Sequence, residues 1–211
     1  MWATLPKGAN MFGRALVLVA MLVCVNAQPE LSDERVAFTT DFGEIELAFY
    51  PEIAPKTVKH ILKLFQLGAY NTNHIFRVDA GFVAQISSIS LGTTAPINEA
   101  IKKEEAKTVP LEVTPEVEHV TGVLSMARHS EKDSGRSSFS MLLGNAPHLD
   151  MEYTIFGKVT KGMDVLAEMQ KVPTFQEGIF VKPIQRITIH SSYWYSSTGK
   201  CKLLIDPVNL L

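Results

Sequence analysis

The sequence contains little cysteine and has no long run of basic residues. Only 2 of its 211 residues are Cys, which is too few for a disulfide-stabilised scaffold or a cysteine zinc site. These are Cys24 and Cys201, so a cysteine nucleophile in the central body of the chain is excluded. The formal net charge is −2. Without a basic run, we expect no nucleic-acid partner bound through its phosphates.

The motifs that mark common catalytic and nucleotide-binding sites are also missing. The sequence has no P-loop, no G-x-G-x-x-G, no H-E-x-x-H and no G-x-S-x-G. Its 6 His residues are scattered, with no i, i+4 pair. We therefore interpret each His as a surface residue or a hydrogen-bonded core residue rather than a metal ligand. A generic hydrolase has little support.

The first 27 residues differ in composition from the rest of the chain. Their only charged residues are Lys7 and Arg14, which precede an apolar run over residues 15–25. A small-x-small ending follows at Val25 and Ala27, so residues 1–27 are predicted to be a secretory signal peptide. The apolar run is short for a bilayer span, which needs roughly 20 residues. An uncleaved membrane anchor or a buried strand stays open as an alternative.

This prediction places the mature protein in the secretory pathway, either in the lumen of the endoplasmic reticulum or secreted. After cleavage it has no stable membrane span. The signal-anchored membrane form is the alternative.

The remaining sequence alternates short β-like runs with turn residues. Residues 28–34 are predicted to be a short spacer, and residues 35–40 and 44–50 an antiparallel hairpin. Apolar residues at i, i+3, i+4 and i+7 predict a helix between Pro55 and Gly68, and an apolar stripe predicts a second helix at residues 163–171. Further strands are predicted at residues 75–78, 82–86, 122–127, 138–143, 153–159 and 184–190. Residues 87–121 are predicted to be mostly loop, and residues 191–211 a C-terminal tail packed on the body.

Many short strands with only two helices are typical of a small barrel or sandwich. Two amphipathic helices can cover the open ends of a barrel, where they bury their apolar stripes. The pattern therefore indicates a mainly β domain with two capping helices.

Three motifs occur in a recognisable order. Residues 77–85 read R-V-D-A-G-F-V-A-Q, residues 122–127 read G-V-L-S-M-A, and residues 154–159 read T-I-F-G-K-V. Together they resemble the cyclophilin family of peptidyl-prolyl cis-trans isomerases, which usually reads F-H-R-x-x-P-G-F-M-x-Q, then G-x-L-S-M-A, then F-G-x-V. The resemblance implies an eight-stranded antiparallel closed β-barrel capped by two α-helices, here over residues 35–190.

The resemblance also implies a reaction that needs no nucleophile, cofactor or metal. An X-Pro bond rotates slowly because amide resonance gives it double-bond character, with a barrier of roughly 18–20 kcal/mol. A guanidinium that donates a hydrogen bond near the twisting amide lowers this barrier, while an apolar pocket positions the proline ring. The implied partners are proline-containing polypeptide clients, and we expect the protein to be a monomer.

Family positions can be transferred residue by residue. The resemblance implies that Arg77 is the catalytic arginine. The implied substrate-binding residues are Phe82, Val83, Gln85, Ala127, Arg128, Ser138, Ser140, His148, Leu149 and Tyr153.

Several of these positions depart from the family pattern. Arg128 stands where Asn is common, Ser138 where Gln is common, and Ser140 where the pocket has a second Phe. His148 replaces a frequent Trp. The alternative register, in which Phe139 fills the pocket, is opposed by strand alternation, because neighbouring side chains point to opposite faces.

The sequence thus supports two hypotheses. The first is an isomerase of reduced activity that assists protein folding in the secretory pathway, for which Arg77, Phe82 and Gln85 argue. The second is a catalytically weak or inactive peptide-binding scaffold on the same fold, for which Arg128, Ser138 and Ser140 argue.

Overall fold

The computed structural model describes residues 29–198. Its barrel strands are β1 (Glu34–Thr40), β2 (Gly43–Phe49), β3 (His74–Asp79), β4 (Val83–Ile86), β5 (Val123–Met126), β6 (Phe139–Leu142), β7 (Ile155–Lys161) and β10 (Ile187–Ser196). They close an antiparallel barrel in the order β1-β10-β3-β4-β6-β5-β7-β2, which confirms the predicted fold class. Two more strands, β8 (Thr174–Glu177) and β9 (Phe180–Pro183), pair only with each other. The predicted signal peptide at residues 1–27 and Cys201 lie outside the described residues.

Short helical segments connect the strands. They are α1 (Pro55–Gln66), α2 (Ile89–Gly92), α3 (Glu99–Glu105), a 3-10 turn (Pro147–Leu149) and α4 (Met163–Met169). The two predicted helices correspond to α1 and α4, and both bury their apolar stripes in the barrel core. Among residues 29–198, no helix combines the length and the apolar character that crossing a membrane requires.

An aromatic cluster fills the barrel interior around Phe139. The centroid of its ring lies 5.5 Å from that of Phe156, 5.9 Å from that of Tyr70 and 6.3 Å from that of Phe65. The hydroxyl of Tyr70 donates to the carbonyl of Ser137 at 2.8 Å, which satisfies the one polar atom of the cluster. These contacts place Phe139 on the core face of β6, as strand alternation predicts.

Three regions differ from the sequence-based expectation. Residues 87–121 contain α2 and α3, where mostly loop was predicted. The helix α3 is held at its start by the side chain of Asn98, which accepts from the backbone N–H of Ile101 at 2.9 Å. The last strand continues to Ser196 rather than ending at residue 190, because its second half pairs with β1. Residues 191–196 are therefore strand and not tail.

The third difference is the hairpin formed by β8 and β9, which was not predicted. Its two strands have four residues each. The residues of β8 are exposed and those of β9 are half-buried, so neither strand alternates between a buried and an exposed face. Their pairing lies outside the barrel, against β3.

Candidate active site

The side chains of β4, β5 and β6 that point away from the core border a cavity of about 810 Å³. All but one of the predicted site residues line it: Arg77, Phe82, Val83, Gln85, Ala127, Arg128, Ser138, Ser140, Leu149 and Tyr153. The exception is His148, an exposed residue whose ring stacks on Phe82 with 5.6 Å between centroids. The structure thus gathers in one place residues that are up to 76 positions apart in the sequence.

Arg77 lies on β3 with its guanidinium between two aromatic rings. Its Cζ atom is 5.1 Å from the centroid of the Phe82 ring and 5.7 Å from that of the Phe180 ring. Its Nη2 donates to Oδ2 of Asp79 at 2.9 Å, while the buried Nε has no hydrogen-bond partner among the described residues. The side chain is only 16% exposed. The cation therefore keeps unused donors in a mostly dry environment, where a hydrogen bond is stronger than in water.

Phe82, Val83 and Leu149 form the apolar end of the cavity. Phe82 follows a turn in which Gly81 has a φ of +73°, a conformation that favours glycine. A Cβ atom on Gly144 would lie 2.1 Å from the carbonyl oxygen of Gly81. Position 144 therefore has to be glycine for the turn to hold Phe82 where it lies.

Gln85 is oriented by a neighbouring serine. Its Nε2 donates to Oγ of Ser138 at 3.1 Å, and that hydroxyl donates to the carbonyl of Ile86 at 2.7 Å. Ser138 therefore fixes the side chain that the family resemblance assigns to the substrate backbone. Ser140 lies opposite Gln85 across the β4–β6 pair and is 9% exposed.

Arg128 is engaged by the protein itself. Its guanidinium lies 4.6 Å from the centroid of the Tyr153 ring, and its Nε donates to the carbonyl of Glu152 at 3.1 Å. Its Nη1 donates to the carbonyl of His129 at 2.9 Å. In this conformation Arg128 lines the cavity but has few donors left for a ligand.

A buried histidine supports the segment that carries Leu149. The ring of His119 contacts Oδ1 of Asp150 through Nδ1 at 2.8 Å and Oγ of Ser125 through Nε2 at 3.0 Å. The backbone N–H of His119 also donates to the same carboxylate oxygen at 2.7 Å. Burial lowers the pKa of His119, which favours the neutral ring. The interpretation of this histidine as a hydrogen-bonded core residue is confirmed.

Sequence reasoning missed this Ser125–His119–Asp150 chain, because its members are separated along the sequence and no motif joins them. Its hydrogen bonds have the partner order of a Ser-His-Asp triad. Here they tie the residue that follows Leu149 to β5 and so stabilise the apolar end of the cavity. Within residues 29–198, no three His, Cys, Asp or Glu side chains are grouped so that they could hold a metal ion.

The β8–β9 hairpin supplies a second set of cavity residues that were not predicted: Glu177, Ile179, Phe180 and Lys182. The sequence does contain a feature that indicates this hairpin. Gly178 and Ile179 separate two short runs that contain Phe and Val, and a two-residue loop with Gly first is typical of a hairpin. Runs of four residues are too short for a periodic pattern to stand out.

Comparison with known proteins agrees with this geometry. The sequence model described as "Cyclophilin type peptidyl-prolyl cis-trans isomerase/CLD" matches residues 35–193. The chain is 53% identical over 182 residues to peptidyl-prolyl cis-trans isomerase CYP23 of Arabidopsis thaliana, covering 86% of this chain and 80% of the relative. It is 34% identical over 163 residues to the human peptidyl-prolyl cis-trans isomerase-like 3, covering 74% of this chain and 96% of the relative.

Solved structures give the same result. A cyclophilin-type isomerase of Cryptosporidium parvum superimposes with a TM-score of 0.66 at 25% identity, covering 79% of this chain and 99% of that one. The same protein in the presence of the dipeptide Ala-Pro gives a TM-score of 0.65 at 27% identity, covering 77% and 99%. Sequence, fold and the residues gathered around Arg77 lead to one conclusion: the chain belongs to the cyclophilin-type peptidyl-prolyl cis-trans isomerase family.

Proposed function

We propose that this isomerase acts at a reduced rate, as a monomer, on proline-containing polypeptides in the secretory pathway. The observation that carries the catalytic part is the placement of Arg77. Its guanidinium is shielded from water, keeps unused donors, and lies next to the apolar surface of Phe82.

The geometry explains how rotation would be accelerated. A proline ring packed on Phe82, Val83 and Leu149 places its amide nitrogen at the edge of the cavity where Arg77 lies. As the X-Pro bond twists, the lone pair localises on that nitrogen and becomes a hydrogen-bond acceptor. A guanidinium N–H of Arg77 stabilises this twisted state more than the planar one, which lowers the barrier. Gln85 holds the substrate backbone while the bond turns.

Two features of the cavity support a reduced rate. Ser140 offers a small hydroxyl side chain where an aromatic ring would enclose the proline. Arg128 is bound to Glu152 and Tyr153, so it contributes little to holding the peptide. The cavity therefore encloses the proline only loosely, although Arg77 is in place beside it.

Replacing Arg77 by Ala tests the catalytic proposal. Loss of one preorganised donor in a dry site typically lowers the rate about 10²–10³-fold. In a proline-limited peptide assay we expect that loss for Arg77→Ala and near-wild-type activity for Arg35→Ala, whose side chain lies outside the cavity. A folded Arg77→Ala protein with unchanged kcat/KM would refute the role.

The same observations at Ser140 and Arg128 favour the second candidate function, a peptide-binding scaffold. It predicts that wild type binds proline peptides without accelerating their isomerisation. Binding with no difference in turnover between wild type and Arg77→Ala would select the scaffold over the enzyme.

The location rests on the composition of residues 1–27. Two positive charges, an apolar run and the small residues Val25 and Ala27 support export, with cleavage after Ala27. N-terminal sequencing of the protein recovered from cells should give a start near Gln28. Soluble cytosolic protein that retains the apolar run of residues 15–25 would overturn this part of the proposal.

A further inference from the structure

The β8–β9 hairpin is a separate element at the edge of the cavity. Its strands pair only with each other, and the backbone N–H of Ile184 donates to the carbonyl of Pro173 at 2.9 Å, which closes its base. Gly178, with a φ of +60°, and Ile179 form the two-residue loop at its tip. The eight barrel strands close without this hairpin.

Aromatic contacts fix the hairpin beside the proposed catalytic residue. The ring of Phe180 packs edge-on against Phe76 with 5.5 Å between centroids. It also lies 5.7 Å from the guanidinium carbon of Arg77, on which Phe82 packs at 5.1 Å. The two rings that flank Arg77 are therefore separated by no more than about three residues of extended chain, each of which spans about 3.3–3.6 Å.

The surface that the hairpin presents to the cavity is apolar and electrically balanced. Ile179 lines the cavity although it is 77% exposed. The two charged hairpin residues at the cavity, Glu177 and Lys182, pair with each other at 2.6 Å, so their charges balance. A side chain that reaches this surface finds the exposed Ile179 and the half-buried Phe180.

We propose that Ile179 and Phe180 form a subsite for an aliphatic or aromatic residue that lies two or three positions from the proline of a client polypeptide. This rests on the proposed function in one respect, namely that a proline occupies the apolar surface of Phe82. The occupant is part of the same polypeptide as the proline. When the proline lies on Phe82 and the chain runs past Arg77, a residue two or three positions away reaches the hairpin. The subsite makes the protein selective for prolines in apolar sequence contexts.

Peptide binding tests the subsite independently of catalysis. Two pairs of fluorescent peptides carry one Ala-Pro bond each. In one pair, Leu-Leu or Ser-Ser occupies the second and third positions before the proline, and in the other pair the second and third positions after it. Fluorescence anisotropy gives the Kd of each peptide for the full-length protein and for two variants.

The variants are Ile179→Ser and its matched control Ile184→Ser. Ile184 is also an exposed isoleucine, 63% accessible, but it does not line the cavity. In one of the two pairs, wild type should bind the leucine peptide about 3–10-fold more tightly than the serine peptide, as expected for partial burial of aliphatic surface. Ile179→Ser should lose most of that ratio, and Ile184→Ser should keep it.

The subsite is overturned if wild type has no preference in either pair, if Ile179→Ser keeps the wild-type ratio, or if Ile184→Ser loses it equally. Isomerase turnover is measured separately on the same peptides. A leucine preference that depends on Ile179 in a protein without turnover would support the subsite and overturn the isomerase proposal, so the two failures are distinguishable.

Discussion

The two faces of β6 differ sharply although they belong to neighbouring residues. Phe139 points into the barrel and packs on three aromatic rings, whereas Ser140 points into the cavity and offers only a hydroxyl. The core face keeps the large apolar side chain that the fold needs. The cavity face of the same strand carries a serine at the position where the family resemblance implies a ring that encloses the proline. Neighbouring residues of this one strand therefore serve different purposes: Phe139 serves the core, and Ser140 faces the candidate site.

The cavity itself shows the same contrast between its two walls. The β3–β4 wall carries Arg77, Phe82 and Gln85, the groups to which the proposed mechanism assigns rotation of the prolyl bond. The β6 wall carries Ser138 and Ser140. Under the proposed function, the donor is present while the proline is weakly enclosed, which predicts an enzyme limited by how well it holds its substrate.

The largest expected effect tests the core face. Phe139→Ala would leave a cavity among three aromatic rings, and such truncations typically cost about 3–5 kcal/mol of unfolding free energy. Urea unfolding followed by fluorescence measures it. The control Phe175→Ala removes an exposed ring of β8 and should change stability by no more than about 0.5 kcal/mol. Similar losses for both variants would contradict the assignment of Phe139 to the core.

An intermediate effect is expected on the cavity face at Ser138. Ser138→Ala removes the acceptor that orients Gln85, and one such hydrogen bond contributes about 0.5–1.5 kcal/mol. The corresponding fall in kcat/KM is about 2–12-fold, with most of it in KM, because the proposed role of Gln85 is to hold the substrate backbone. An unchanged KM for a peptide that the wild type turns over would show that Gln85 needs no such support.

The smallest expected effect concerns acid stability at the apolar end of the cavity. Burial lowers the pKa of His119 in the folded protein, so the unfolded chain binds a proton first as the pH falls. The stability from the neutral ring is complete above the unfolded pKa of about 6.5 and declines as the pH falls below it. His74, whose pKa burial also lowers, adds to the decline.

A variant isolates the contribution of His119. His119→Gln should be less stable than wild type at pH 8, because the contacts to Asp150 and Ser125 are disturbed. Its further loss of unfolding free energy below pH 6.5 should be shallower than that of wild type, since the titrating ring is gone. Thermal unfolding of both proteins is measured at successive pH values. If wild type and His119→Gln lose the same stability as the pH falls, His119 does not cause the acid sensitivity.

The sequence could predict what local patterns determine. Strand alternation correctly placed Phe139 inside the barrel, and three motifs located the cavity residues around Arg77. The contacts that join distant positions could not be predicted in this way. The packing of Phe76 on Phe180, the hydrogen bonds of His119 and the self-contained contacts of Arg128 all depend on tertiary structure.

Length and polarity account for the missed elements. The strands β8 and β9 and the helix α3 are too short to show a periodic pattern, and the residues of β8 and α3 are mainly polar. The end of β10 was placed too early because its serines resemble a turn, whereas pairing with β1 extends it to Ser196.

The most direct test of the central claim restores the missing ring at position 140. An aromatic side chain buries about 150–250 Å² when enclosed, of which part would face the proline, so the gain in binding is about 1–2 kcal/mol. The measurement is kcat/KM of wild type and Ser140→Phe on one proline-limited peptide, with thermal unfolding as the check on folding. We predict low but measurable activity in wild type and an increase of about 5–30-fold in Ser140→Phe. No increase in a well-folded Ser140→Phe protein would contradict the account.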